Sequence, residues 1–103
     1  MPARQATQGR QLRLTLLAGS DLEDIWRDTF GHGSLEQANR YHRDLVGTMA
    51  ALARGEKAGH PCLVRDGYFQ YAVGSHIVFW RETDVTLDVI RVLHPRMDVG
   101  RHL

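Results

Sequence analysis

Between Gln11 and Leu16 the chain alternates polar and apolar residues, Gln-Leu-Arg-Leu-Thr-Leu. This sets the leucines on one face of a short strand, because side chains in a strand repeat every two residues. Ala18-Gly19 is expected to break that strand. Ser20-Asp21-Leu22-Glu23 then has the form of a capping box, so a helix is expected to start there. Leu22, Ile25, Trp26, Thr29 and Phe30 fall on one apolar stripe, while Asp21, Glu23 and Asp24 suit the positive end of the helix dipole. Gly31-His32-Gly33 ends the helix. Ser34-Leu35-Glu36-Gln37 repeats the capping pattern, and Ala38, Tyr41, Leu45, Met49 and Leu52 form a second stripe that stops near Arg54-Gly55. So short a connection makes the two helices antiparallel neighbours.

After a loop from Glu56 to Pro61, the texture becomes β-branched and aromatic. Tyr68 to Val73 and His76 to Arg81 read as strands joined by Gly74-Ser75, a Gly-first pair suited to a type II′ hairpin. Thr83-Asp84 leads into a last strand over Val85 to Leu93, and residues 62 to 65 are a candidate for a short additional strand. The fold class is therefore α+β: an N-terminal strand, an antiparallel helical hairpin, then a three- to four-stranded antiparallel meander. With 103 residues, 43% hydrophobic and 24% charged, the chain has the size and composition of one folded domain spanning 1–103, with residues 1–10 expected to be flexible.

Charge and chemistry narrow the function. The net charge of +1 argues against a nonspecific nucleic-acid coat, yet both ends are basic, with Arg4, Arg10 and Arg13 at one and Arg91, Arg96 and Arg101 at the other. No apolar run approaches the roughly 18 residues of a membrane span, and MPARQATQGRQ has no stretch that would act as a secretion signal, so a cytoplasmic location and no membrane partner are expected. Cys62 is the sole cysteine, which excludes an intrachain disulfide and is expected to be a small core or surface residue. His32, His42, His60, His76, His94 and His102 have no metal-ligand spacing, and the phosphate-loop and dinucleotide fingerprints are missing, so neither metal nor cofactor is expected. What remains is Arg81, Arg91, His94 and Arg96, near the end of the last strand. Arginine can clamp phosphate oxygens and histidine can move protons near neutral pH, so a phosphodiester-cleaving site could be assembled from them. By alternation Arg91 shares a face with Leu87 and Val89, and Asp88 or Asp98 could equally be its partner in a purely structural ion pair.

The order strand, helix, helix, meander carries Asp21-Leu22-Glu23-Asp24-Ile25-Trp26, Gln37-Ala38 with Tyr41, Gly74-Ser75-His76-Ile77-Val78-Phe79-Trp80-Arg81, and a closing Arg91-Val92-Leu93-His94-Pro95-Arg96-Met97-Asp98 with His102-Leu103. In these residues the chain resembles the ParE branch of the RelE/ParE toxins over about residues 11 to 103. The resemblance implies a toxin of a type II toxin-antitoxin pair, paired with a cognate ParD-like antitoxin in a hetero-oligomer, that poisons DNA gyrase by binding and does no chemistry or sequence-specific DNA binding of its own. On that reading the toxic surface is expected at Arg91, His94, Arg96, Met97 and His102, and the antitoxin-binding groove at Trp26, Phe30, Tyr41, Leu45 and Met49, for each of which plain core is the weightier alternative. The RelE branch instead cleaves mRNA on the ribosome. In that case Arg91, His94 and Arg96 would be catalytic, although His76 stands where an arginine is usual. A non-toxic interaction module is the remaining alternative.

Overall fold

In a computed structural model, which describes residues 9–103, the chain forms β1 (Gln11–Leu14), α1 (Leu16–His32), α2 (Leu35–Ala53), β2 (His60–Pro61), β3 (Phe69–Val73), β4 (His76–Glu82), β5 (Thr86–Leu93) and α3 (Val99–His102). The five strands make one sheet in the order β1-β5-β4-β3-β2. All neighbours are antiparallel except β1 and β5, which run parallel. The α+β arrangement expected from the sequence is the one found. Residues 1–8 lie outside the described residues, and Arg10, at the end of the segment expected to be flexible, is anchored by bonds from its amide to the Ala53 carbonyl (2.9 Å) and from Nε to the Thr83 carbonyl (2.7 Å). Among the described residues no helix is long and apolar enough to cross a membrane.

The first helix is capped at Thr15, five residues before the expected cap at Ser20. Thr15 is both the last residue bonded along β5 and the N-cap of α1: its amide donates to the Val89 carbonyl (3.1 Å), while its Oγ1 donates to the Ile90 carbonyl (2.8 Å) and accepts from the Ala18 amide (3.0 Å). A cap already supplied at Thr15 makes the second one redundant, so the strand passes straight into the helix. Gly19, expected to be a break, sits inside the helix at a cost of about 1 kcal/mol relative to alanine. The second helix starts as expected, with Ser34 Oγ accepting from the Gln37 amide (3.1 Å). It ends in a Schellman motif: Gly55, at φ 80°, donates to the Leu52 carbonyl and Glu56 donates to the Ala51 carbonyl.

The helical hairpin covers one face of the sheet. Ala18, Leu22 and Ile25 of α1 and Leu45, Met49 and Leu52 of α2 pack on Val78, Trp80, Leu87, Val89 and Val92 in the main core. On the other face, Cys62, Phe79 and Leu93 form a smaller cluster, joined by Tyr68, Ile77, Val99 and Leu103. The extra strand before β3 falls at His60–Pro61 and not at 62 to 65, and Cys62 is core.

Between β4 and β5 the register shifts, with Phe79 opposite Arg91 but Trp80 opposite Val89, so Ile90 is an extra residue on β5. The bulge corrects the simple alternation. Val92, and not Arg91, follows Leu87 and Val89 into the helix-side core, and Arg91 falls in step with Leu93 on the opposite face. The β3–β4 link is as expected: Gly74 has φ 55° and Ser75 does not have a positive φ, as a type II′ turn requires.

Candidate functional site

The residues singled out near the C-terminus converge at one end of β5, but in distinct roles. Arg91 is held by α1: its Nε donates to Asp21 Oδ2 and its Nη2 to Asp21 Oδ1, both at 2.8 Å, with each side chain only 13% exposed. Neither Asp88 nor Asp98 is its partner. Asp88 pairs with Arg13 instead (2.8 Å), and that bond holds the Asp88 carboxyl below its ordinary value. Asp21 Oδ2 also accepts from the Val92 amide (2.9 Å), satisfying an edge group of β5 past the end of β1. The bidentate bond to Asp21 raises the Arg91 guanidinium above its usual range. The remaining donor, Nη1, reaches the His102 carbonyl of α3 (3.3 Å).

His94 lies just past the end of β5, beside His76 at the start of β4, with the two rings edge to face and their centroids 5.6 Å apart. His94 Nδ1 accepts from the Arg96 amide (3.1 Å), which places its proton on Nε2. The hydroxyl of Tyr41 on α2 accepts from the Ser75 amide (3.0 Å) and lies within hydrogen-bond distance of the Val73 carbonyl (3.0 Å) and of His76 Nδ1 (2.7 Å). A phenol has one proton, so Tyr41 donates either to the Val73 carbonyl or to His76 Nδ1, and His76 takes the complementary tautomer. Burial lowers the His76 pKa below its ordinary value, and nearby His94 lowers it further against the opposing effect of Asp28 and Asp21. Burial also raises the Tyr41 phenol.

Arg96 and Met97 occupy an exposed turn closed by a bond from the Met97 amide to the His94 carbonyl (2.9 Å). Beyond it, α3 lies on the sheet face opposite the helical hairpin, held by Val99 and Leu103, by a bond from Arg65 Nη1 to the Leu103 carbonyl, and by the Arg91 contact. His102 is half-buried and its Nδ1 bonds to the Asp98 carbonyl (2.8 Å). The guanidiniums of Arg65 and Arg81 both lie over the ring of Tyr68, 5.2 and 5.5 Å from its centroid. Among the described residues no three His, Cys, Asp or Glu side chains are gathered as metal ligands would be.

The groove residues separate into two groups. Leu45 and Met49 are fully buried and have no surface to offer a partner; they are core. Trp26 and Phe30 stack at 5.4 Å on the outer side of α1, with Phe30 49% exposed. Trp26 Nε1 bonds to Asn39 Oδ1 of α2 (2.9 Å), and Trp26 lines a groove of about 490 Å³ with Leu22, Glu23, Arg27 and His42. Tyr41 is half-buried and spent on the His76 network.

Sequence reading assigns Asp21 to the helix dipole and His76 to the place of a usual arginine, and joins neither to the residues at the end of β5. Once α1 is seen to start at Leu16, Asp21 lies three residues after Ala18 and four before Ile25, a carboxylate within the buried stripe, which is the signal that it has a partner in the sheet.

A family model described as "ParE toxin of type II toxin-antitoxin system, parDE" matches residues 12–99. Toxin ParE1 of Mycobacterium tuberculosis (strain ATCC 25618 / H37Rv) is 40% identical over 92 residues, covering 87% of this chain and 94% of that protein. Toxin ParE1 of Caulobacter vibrioides is also 40% identical over 92 residues, covering 88% and 95%. Among solved structures, the chromosomal ParDE toxin-antitoxin system from P. aeruginosa superposes with a TM-score of 0.75 at 19% identity, covering 84% of this chain and 97% of that one. The toxin-antitoxin complex RelBE2 from Mycobacterium tuberculosis gives 0.63 at 20% identity, covering 86% and 94%.

Proposed function

The chain belongs to the ParE toxin family of type II toxin-antitoxin systems, and on that premise we propose that it inhibits DNA gyrase by binding, through the surface formed by the 94–98 turn and α3. The observation that carries this reading is how the three candidate nuclease groups are disposed. Arg91 is locked to Asp21, His94 Nδ1 is occupied by the Arg96 amide, and only Arg96 projects from an exposed turn. A cleaving site needs its acid, base and phosphate clamp aimed at one reacting bond. Here one group is exposed and two are structurally engaged, which suits a contact surface better than a catalytic one. Binding energy spent on a gyrase state that holds cut DNA would turn into a DNA break without chemistry by the toxin.

A ParD-like antitoxin is the second partner. The Trp26–Phe30 stack and the groove beside it, together with Leu16 and Leu17 on the first turn of α1, form apolar surface that an antitoxin segment would cover in a hetero-oligomer. The test is supercoiling and cleavage of plasmid DNA by purified gyrase with and without the protein, beside a translation reaction probed for mRNA cuts. Blocked supercoiling or accumulated cleaved DNA with intact mRNA is the expected result. Cut mRNA with unaffected gyrase would assign the chain to ribosome-dependent cleavage, and no effect on either, or on growth when the chain is induced alone, would make it an inert binding module.

A further inference from the structure

We propose that Asp21 is a positioning residue that sets where the C-terminal helix lies, acting through Arg91. The proposal rests on the reading that this helix and the turn before it form the target-binding surface. A four-residue helix has no stability of its own, because nucleating a turn fixes several residues for a single bond. The bonds that close α3 at its ends are Arg101 amide to Asp98 carbonyl (3.1 Å) and Leu103 amide to Val99 carbonyl (3.0 Å), and the Asp98 side chain does not cap it. Its place must come from outside. Val99 and Leu103 supply apolar contact, which fixes depth but not direction. Direction comes from two bonds: Arg65, on an exposed loop, reaches the Leu103 carbonyl, and Arg91, on β5, reaches the His102 carbonyl, so the second is the polar bond that ties α3 to the sheet.

Arg91 can do this only if its own plane is fixed. Asp21 occupies Nε and Nη2 together, the geometry that sets a planar guanidinium in one orientation and leaves Nη1 as the free donor on the α3 side. Asp21 is in turn fixed by the Val92 amide and by its seat on α1, whose buried stripe is part of the main core. The route therefore runs from the helix-side core, through one carboxylate and one guanidinium, to a four-residue helix. Asp21 lies 70 positions before Arg91 in the chain. It also falls outside the first turn of a helix that starts at Leu16, so a role in complementing the dipole does not account for it.

The experiment compares wild type with Asp21→Asn, Asp21→Glu and Arg91→Lys, reading the backbone ¹⁵N heteronuclear NOE of residues 99–103 together with gyrase inhibition. In Asp21→Asn the NOE should fall across 99–103 but not in β5, and inhibition should weaken by about tenfold. Asp21→Glu, which keeps the carboxylate, should recover most of both. Arg91→Lys keeps the charge but not the fork, so it cannot serve Asp21 and the His102 carbonyl together and should behave like Asp21→Asn. An unchanged NOE in folded Asp21→Asn overturns the proposal, whether inhibition persists or is lost, since loss alone would make Asp21 a contact. A lowered NOE with full inhibition also overturns it. If wild type leaves gyrase untouched while the NOE falls as stated, the positioning role stands and the gyrase reading fails. Should Asp21→Asn not fold, Arg91→Lys decides by the same criteria, and unfolding of both would make the link a requirement of the fold and overturn the proposal.

Discussion

The two faces of the sheet are built on different terms. On the helix side, Leu45, Met49, Trp80, Leu87 and Val89 are sealed from water beneath two long helices. On the other side, among the described residues, Phe79 and Leu93 are covered by a loop and a four-residue helix, among Arg65, Arg81 and Arg91. A face closed by amphipathic helices gains most of the apolar burial available and needs few charges. A face closed by a short tail leaves arginines at its rim and keeps the cover dependent on a few specific bonds. On the function proposed above, stability belongs mainly to the first and recognition to the second, with Asp21 as the link between them.

The division can be broken or sharpened by substitution. Trp80→Ala removes the largest buried side chain of the helix-side core and should destabilise the protein by roughly 3–5 kcal/mol in urea unfolding, a large share of the about 5–15 kcal/mol that holds a domain folded. Leu103→Ala trims the tail-side cluster, where the residue is only half-buried. It should cost about 1 kcal/mol while weakening gyrase inhibition far more than that loss of stability explains.

A smaller effect is expected from pH. The folded-state pKa of His76 lies below the ordinary 6.5, so between that lower value and 6.5 the unfolded chain takes up a proton that the folded chain refuses, and stability should fall as pH drops through this window. His76→Gln keeps a hydrogen-bonding group toward Tyr41 without titrating. Its loss of Tm between pH 7.5 and 5 should be smaller than that of wild type, and parallel curves would show that His76 does not contribute. The smallest effect on stability belongs to Arg96→Ala, on an exposed turn. It should lie within about 0.5 kcal/mol of wild type in urea, with toxicity clearly reduced.

Much of the fold was legible because it follows from local pattern. Ser34 capping α2, Gly55 ending it and Gly74 turning the β3–β4 hairpin are each determined within a few residues. The start of α1 was not, because Thr15 is made a cap by its place beside Val89 and Ile90 on β5, which no local pattern reveals. The site was only partly legible for the same reason. Arg91, His94 and Arg96 were visible as chemistry-bearing residue types, but whether each is free or engaged depends on a bulge at Ile90 and on Asp21 and His76, far away in sequence. Leu45 and Met49 show the converse: a stripe cannot tell core from groove until the partner element is in place.

The central claim, that the turn at 94–98 and the helix behind it act on gyrase by contact, is tested most directly by gyrase supercoiling and cleavage of plasmid DNA with wild type and Arg96→Ala at equal concentration, with mRNA integrity followed in a parallel translation reaction. The account predicts that wild type blocks supercoiling or accumulates cleaved DNA, that Arg96→Ala does so much less while remaining folded, and that mRNA stays intact. Full activity of Arg96→Ala on gyrase, or cut mRNA with untouched gyrase, would contradict it.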